Sequence, residues 1–129
     1  MRYTLLVNAA PQTGGAAHSA LRFVEAALAG GHSIERLFFY GDGVYNTSRL
    51  TVMPQDEANL PALWDALIRK HKLESVACVS SAIRRGVLDA TESSRHELNV
   101  VSCYDSSEIG GLGQLIDAIS NADRLISFG

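Results

Sequence analysis

The chain has 129 residues, of which 47% are hydrophobic and 19% charged, and its formal net charge is −3. This composition is ordinary for a globular protein and excludes wholesale disorder and collagen-like repeats. The length fits one domain, residues 1–129, with a hydrophobic core of its own. A sequence pI near 5.7 argues against a tight nucleic-acid binder, which would be basic with clustered Lys and Arg.

The apolar runs are too short for a membrane span or a secretory signal. No run approaches the roughly 18 residues that cross a bilayer. The apolar run near the N-terminus has about four residues, fewer than the ~7–15 of a signal-peptide core. We therefore expect a cytoplasmic protein in which the two cysteines, Cys78 and Cys103, are thiols and not part of a disulfide framework.

The first half of the chain predicts a strand, a helix and a second strand. Residues 3–8 form a short β-rich run. Residues 17–29 carry apolar side chains at helical spacing, and the pair Gly30–Gly31 ends the helix, as glycine does beyond a C-terminus. Residues 33–40, which end in Leu-Phe-Phe-Tyr, predict a buried strand, and residues 44–58 predict an irregular segment.

The second half opens with an amphipathic helix. Asn59 is placed to cap it, and apolar side chains recur at i, i+3, i+4 and i+7 from Leu60. Residues 75–79 predict a third strand. Asp89 followed by Glu92 resembles a capping box that opens a short helix.

The end of the chain predicts a fourth strand, a last helix and a fifth strand. Two segments compete for the fourth strand, residues 99–104 and residues 105–109. Residues 123–128 predict the fifth strand. The last helix is marked by four apolar residues at helical spacing: Leu112, Leu115, Ile116 and Ile119.

Strands and helices thus alternate about five times along the chain, and parallel strands need helical crossovers. The expected fold is α/β, a three-layer α/β/α sandwich with a five-stranded, mostly parallel sheet. Functional groups in such folds lie beyond the C-terminal ends of the strands. Three loops qualify, after Asn8, after Tyr40 and after Cys78.

Cys78 is the leading candidate for chemistry. It ends a predicted strand, a small-residue turn with Ser80 and Ser81 follows, and two guanidinium groups come soon after at Arg84 and Arg85. A thiol at the start of a helix and near cations is favoured as thiolate, the nucleophilic form. A Cys at the end of a strand is, however, more often a small buried hydrophobic residue, so both interpretations stay open on local context.

Other patterns carry weaker alternatives. Cys78 and Arg84 have the C-x5-R spacing of cysteine-dependent phosphatases, but the loop between them has no Gly to cradle an anion. Cys103 lies in an apolar stretch with no basic residue within five positions on its C-terminal side, which favours a structural role. A redox pair of Cys103 with Cys78 is a further alternative, but it lacks the C-x-x-C spacing. The Gly14–Gly15 turn matches no phosphate-binding pattern. The four His have no ligand-like spacing, so we predict no metal.

Four sets of residues along the chain form a recognisable pattern: Phe38–Tyr40 with Gly43–Asn46, Cys78–Val79 with Ala82–Val87, Gly111–Gly113, and Ala122–Arg124. The most specific block is a Cys followed by small residues and Arg-Arg-Gly. In these segments, and along essentially its whole length, the chain resembles the DsrE/TusD family of sulfur-transfer proteins.

The resemblance implies that Cys78 accepts a sulfane sulfur as a persulfide and hands it to a downstream carrier. Arg84, Arg85 and Tyr45 enter as supporting residues, and neither a metal nor an organic cofactor is implied. It also implies a parallel sheet of order 4-3-2-1-5. The family usually has small apolar residues after its Cys, whereas this chain has Ser80 and Ser81, which are small and able to donate hydrogen bonds.

The implied partners are sulfur-carrier proteins as donor and acceptor, with no direct nucleic-acid or membrane contact. Members of the family form hetero-hexamers of three related small subunits, and a homo-oligomer is the alternative for the isolated chain. The TusD-like branch delivers sulfur to 2-thiouridine of transfer RNA, which is the expected destination here. The DsrE-like branch, which serves dissimilatory sulfur oxidation, and a non-catalytic scaffold subunit are the alternatives.

Overall fold

The computed structural model describes all residues from 1 to 129 and contains five strands and five α-helices. The strands are β1 (Arg2–Val7), β2 (Ser33–Phe39), β3 (Ser75–Cys78), β4 (Glu108–Gly110) and β5 (Arg124–Phe128). The helices are α1 (Ala16–Ala29), α2 (Leu60–His71), α3 (Val79–Arg84), α4 (Ala90–Arg95) and α5 (Leu112–Asn121). A 3-10 helix, Gly41–Thr47, follows β2.

The strands form one sheet in the order β4-β3-β2-β1-β5, and all four pairings are parallel. This confirms the α/β fold and the strand order that the resemblance implied. The sheet is covered on both faces. The main core lies between one face and helices α1 and α2, and a smaller cluster of β-strand residues packs against Leu115 of α5 on the other.

The predicted helix starts have the capping geometry that the sequence indicates. Asn59 Oδ1 accepts a hydrogen bond from the Ala62 N–H at 3.1 Å at the start of α2. Asp89 Oδ1 accepts one from the Glu92 N–H at 2.8 Å at the start of α4. Each side chain satisfies a backbone donor that the first turn of a helix leaves without an internal partner.

The fourth strand is Glu108–Gly110, so the prediction of residues 99–104 was wrong and that of residues 105–109 was correct only at its end. The segment 99–104 is apolar enough for a strand, but its backbone N–H groups form hydrogen bonds with residues outside the sheet. The N–H groups of Ser102 and Cys103 both donate to Leu88 O, and that of Tyr104 donates to Thr47 O. Backbone groups used in this way are not available to a sheet ladder.

The segment predicted as irregular begins with the end of the 3-10 helix, which lies tightly against the end of β1. A Cβ at Gly43 would stand 1.9 Å from Val7 O, so only glycine permits this approach. Asn46 secures the contact by donating from Nδ2 to Ala9 O at 3.0 Å and to Gly43 O at 2.9 Å.

Helix α5 forms as predicted, but most of its apolar stripe is not buried. Leu112, Ile116 and Ile119 are exposed, Ile116 by 67%, and Ala118 is the one fully buried residue of the helix. An apolar face of this kind on one chain is typical of a surface that contacts another protein.

No helix of the molecule combines the length and the hydropathy that a bilayer crossing requires.

Candidate functional site

Cys78 is at the junction between strand and helix that the sequence predicts. It is the last residue of β3 and the N-cap residue of α3, and only 2% of its surface is exposed. It packs with Phe38 and Val76 in the smaller cluster, on the face of the sheet that α5 covers. The buried β3 strand holds the backbone in place, and the turn into α3 brings N–H groups towards the sulfur.

Two serines lower the pKa of the Cys78 thiol. Burial by itself raises this pKa, but hydrogen bonds from the hydroxyl and backbone N–H groups of Ser80 and Ser81 favour the thiolate and leave the net pKa below its ordinary value. The side-chain contact is direct, with Ser80 Oγ 3.4 Å from Cys78 Sγ. The lowered pKa of Cys78 therefore arises from hydrogen-bond donors in the first turn of α3, in keeping with the predicted position at the start of a helix, and not from the guanidinium groups that the sequence argument also invoked.

Arg85 ties α3 to the 3-10 helix. Its Nε donates to Asp42 Oδ1 at 2.9 Å and its Nη1 donates to Ser81 O at 3.1 Å. A second link runs beside it, because the Gly41 N–H donates to Ser81 Oγ at 3.0 Å. These contacts fix the turn that supplies hydrogen bonds to Cys78, and sequence reasoning missed Asp42 because its importance depends on two distant segments meeting.

Arg84 and Tyr45 differ from Arg85 in having no partner within the chain. Arg84 is exposed and makes neither an ion pair nor a side-chain hydrogen bond. Tyr45 belongs to the 3-10 helix, is 37% exposed and has a free hydroxyl. Both side chains are thus available to an approaching molecule at the same end of the sheet as Cys78.

Gly110 is the register partner of Cys78 on the neighbouring strand β4. A Cβ at Gly110 would stand 1.6 Å from Gln114 Oε1 and 3.0 Å from Val76 Cγ1. The missing side chain therefore leaves room for the Gln114 amide at the strand edge beside Cys78. The sequence carries no motif that would have revealed this residue.

Cys103 is a buried structural thiol. It belongs to the main core on the opposite face of the sheet from the Cys78 cluster, and both cysteines are free. Burial raises its pKa to about 11, with a smaller opposing effect from the Thr47 hydroxyl and small additions from Asp89 and Asp105. A neutral, enclosed thiol is a poor nucleophile, so a redox couple between the two cysteines has no structural support.

The phosphatase alternative does not fit the local backbone. The five residues between Cys78 and Arg84 are part of helix α3, and do not form a loop that could wrap its amides around a phosphate. In addition, no group of three or more His, Cys, Asp or Glu side chains in the chain is arranged to hold a metal ion.

Residues 1–128 match the DsrE/DsrF-like family. The chain belongs to this family. It is 50% identical over 119 residues to a sulfurtransferase TusD homolog of Pseudomonas aeruginosa, an alignment that covers 92% of this chain and 91% of that protein. It is 43% identical over 129 residues to the DsrE protein of Allochromatium vinosum, covering 100% and 99% of the two chains.

The fold also has a counterpart among solved structures. The crystal structure of the YchN protein of E. coli superposes with a TM-score of 0.78 and covers 99% of both chains, at 19% sequence identity. That likeness concerns the fold alone. The full-length sequence relatives carry the functional argument, and they make the chain a sulfurtransferase of the sulfur-relay type.

Proposed function

We propose that Cys78 is the sulfur-carrying residue of this sulfurtransferase, loaded as a persulfide by one protein and unloaded by another. The observation that carries the proposal is the hydrogen-bonded thiol at the β3–α3 junction, whose pKa lies below the ordinary value. Of the two cysteines, only Cys78 has hydrogen-bond donors that outweigh the effect of burial; at Cys103 the Thr47 hydroxyl does not, and the pKa is raised.

The transfer requires two thiol-exchange steps and no net oxidation. In loading, the Cys78 thiolate attacks the outer sulfur of a donor persulfide, a new S–S bond forms, and the donor leaves as a thiolate. In release, an acceptor thiolate attacks the outer sulfur held on Cys78, and the Cys78 thiolate leaves. Electrons balance in each step because one S–S bond forms as another breaks. Neither step calls for a metal or an organic cofactor.

Arg84, Arg85 and Tyr45 support this chemistry in different ways. Arg85 positions the serine turn through Asp42 and Ser81, which is an indirect role. Arg84 is an unpaired exposed cation, suited to attract an acidic surface on a carrier protein. Tyr45 offers an exposed ring and hydroxyl beside the same strand ends, suited to contact with the carrier.

Burial of Cys78 favours a second candidate, a non-catalytic scaffold subunit. A thiol that is 2% exposed cannot reach the outer sulfur of a persulfide on another protein without local opening. Helix α3 has only six residues, and short, surface-linked elements open at low free-energy cost. The catalytic proposal therefore includes a displacement of the first turn of α3 while Cys78 is loaded, with the turn closed again for release, whereas a scaffold would keep it closed throughout.

The proposed partners are a sulfur donor, a sulfur acceptor and related small subunits in a hetero-hexamer. The exposed residues Leu112, Ile116 and Ile119 of α5 give such a neighbour an apolar surface to cover. A homo-oligomer is expected to substitute for it when the chain is isolated. We further propose a cytoplasmic location, where reducing conditions keep relay thiols in the reactive form.

We propose transfer RNA thiolation as the destination of the sulfur. The TusD homolog is the relative with 50% identity, against 43% for the DsrE protein. Sulfur oxidation is the competing destination, and the same thiol chemistry serves both. The two are distinguished by the acceptor that removes sulfur from Cys78, tested with purified carriers of each kind.

The deciding experiment is intact-protein mass spectrometry after incubation with a cysteine desulfurase, cysteine and a candidate carrier. A mass gain of one sulfur atom, reversed by reductant and mapped to Cys78, is the expected result. The Cys78→Ser variant is the control and should gain none. Absence of loading in both the isolated chain and the assembled complex would replace the catalytic proposal by the scaffold one.

A further inference from the structure

We propose that Ser80 is a catalytic residue that promotes the release of sulfur from Cys78, by donating its hydroxyl hydrogen to Sγ as that atom becomes a thiolate. The inference rests on the proposed function, since it assigns a direction to the relay at the same sulfur.

The Ser80 hydroxyl contacts only the sulfur, and it lies on the exposed side of the site. Its Oγ is 3.4 Å from Cys78 Sγ and makes no other hydrogen bond. Ser80 is exposed, whereas Cys78 is buried. The neighbouring Ser81 also favours the thiolate, but it is buried and its hydroxyl oxygen is held by the Gly41 N–H. Ser80 is therefore the partner whose exposed hydroxyl has no second contact and is free to reorient as the charge on Sγ changes.

The charge on Sγ changes during the relay, so that this hydrogen bond favours the release of sulfur over its retention. When Cys78 carries sulfur, the negative charge of the persulfide is on the outer atom and Sγ is a neutral, weak acceptor. As an acceptor thiolate attacks the outer sulfur, the S–S bond breaks and the electron pair remains on Sγ. A donor aimed at the atom on which charge develops stabilises that transition state more than the loaded state.

The same hydrogen bond does not help loading at high pH. A thiol of lower pKa is a better leaving group, but its thiolate is a weaker nucleophile, with a Brønsted coefficient of about 0.4–0.5. Once all thiols are ionised, Ser80 therefore speeds departure from Cys78 and does not speed attack by it. Its presence shifts the exchange equilibrium towards the unloaded protein and a loaded acceptor.

Three variants separate this role from a structural one. Ser80→Ala removes the hydroxyl, and Ser80→Thr retains it. Ser94→Ala is the matched control, because Ser94 is also an exposed serine of a short helix and its hydroxyl makes no hydrogen bond. Circular dichroism and thermal unfolding should be alike for all four proteins, since none of the changes buries or exposes an apolar side chain.

The experiment has two measurements on each protein. The first is the rate of Cys78 alkylation by iodoacetamide against pH, which reports the thiol without any relay. The second, above the thiol pKa values, is the exchange of sulfur between Cys78 and glutathione, started from the loaded protein with glutathione or from the free protein with glutathione persulfide.

In Ser80→Ala we expect the alkylation midpoint to move to higher pH and release to slow by about three- to tenfold, with loading not slowed. Ser80→Thr and Ser94→Ala should resemble the parent. An unchanged midpoint with unchanged release, or equal slowing of both directions, would overturn the inference while leaving Cys78 as the sulfur carrier. If the parent protein itself accepts no sulfur, the proposed function fails, and the alkylation midpoint still tests the contact.

Discussion

Arg85 Nε lies 2.9 Å from Asp42 Oδ1. This ion pair joins the end of helix α3 to the 3-10 helix that follows β2. The neighbouring Arg84 has no partner at all. Two adjacent arginines of one motif therefore have separable roles, one in positioning the serine turn and one in contact with other molecules.

Arg85→Ala should loosen the turn that holds Cys78. Loss of the ion pair with Asp42 and of the hydrogen bond to Ser81 O is expected to lower the free energy of unfolding by about 1 kcal/mol, since the pair is partly exposed. The midpoint of Cys78 alkylation should rise, as Ser81 is no longer fixed. Chemical denaturation and a pH series of alkylation rates measure the two effects.

Arg84→Ala should leave stability unchanged and should affect only transfer from a protein carrier. With no intramolecular partner to lose, its unfolding free energy should stay within about 0.5 kcal/mol of the parent. Loading from a small persulfide should be unchanged, while transfer from a protein carrier should slow and lose part of its salt dependence. Equal salt dependence in the parent and the variant would exclude Arg84 as a docking cation.

The two thiols should be modified in different pH ranges. Because the pKa of Cys78 is lowered, its modification in the folded protein should reach half-maximum below the pH of an ordinary thiol. Cys103, with a pKa of about 11, should stay unmodified at neutral pH until the protein unfolds. Peptide mapping after timed iodoacetamide labelling checks both. Preferential labelling of Cys103 would reverse the assignment of the reactive residue.

Cys103 should also make stability depend on pH in the alkaline range. Its pKa is about 11 when folded against an ordinary value of 9.0, so between these values the unfolded chain binds fewer protons than the folded one. Its contribution to the free energy of unfolding therefore falls as pH rises from about 9 to about 11, by up to about 2 kcal/mol. The stability difference between the parent and Cys103→Ala should narrow over this range in urea titrations.

Gly43→Ala should be strongly destabilising for its size. The added Cβ would stand 1.9 Å from Val7 O, so the 3-10 helix must move away from β1 at an expected cost of about 2–3 kcal/mol. Gly113→Ala is the matched control, because nothing lies within 4 Å of a Cβ there and alanine favours the helix. Thermal unfolding should separate the two variants in opposite directions from the parent.

Ile116→Glu tests the proposed use of α5 as a contact surface. Ile116 is 67% exposed, so the change should leave the stability of the isolated chain nearly unaltered. A buried carboxylate would oppose assembly, so self-association and co-purification with related subunits should both weaken. Sedimentation of parent and variant at several concentrations measures this. Identical assembly of the two proteins would remove α5 from the interface.

Much of the fold follows from local patterns in the chain. Alternating strand and helix periodicity, the Asn59 and Asp89 caps and the Gly30–Gly31 stop appear in the structure close to their predicted positions, because these signals act over a few residues. The sequence left the fourth strand open between residues 99–104 and 105–109. Whether residues 99–104 enter the sheet depends on the hydrogen bonds that their backbone N–H groups make to the carbonyl oxygens of Leu88 and Thr47.

In the candidate site, too, some features follow from the local sequence and others only from the tertiary structure. The sequence determined that Cys78 ends a strand, begins a helix and precedes small hydroxyl residues, since all of this is encoded within four positions. Only the tertiary structure decided that serines and not arginines lower the pKa of the thiol, that Arg85 is bound to Asp42, and that Cys103 is enclosed in the main core. The first outcome depends on how the side chains of one turn are oriented, and the other two depend on distances between segments brought together by the sheet. A hydrogen bond or a desolvation effect depends on such distances to within a fraction of an ångström.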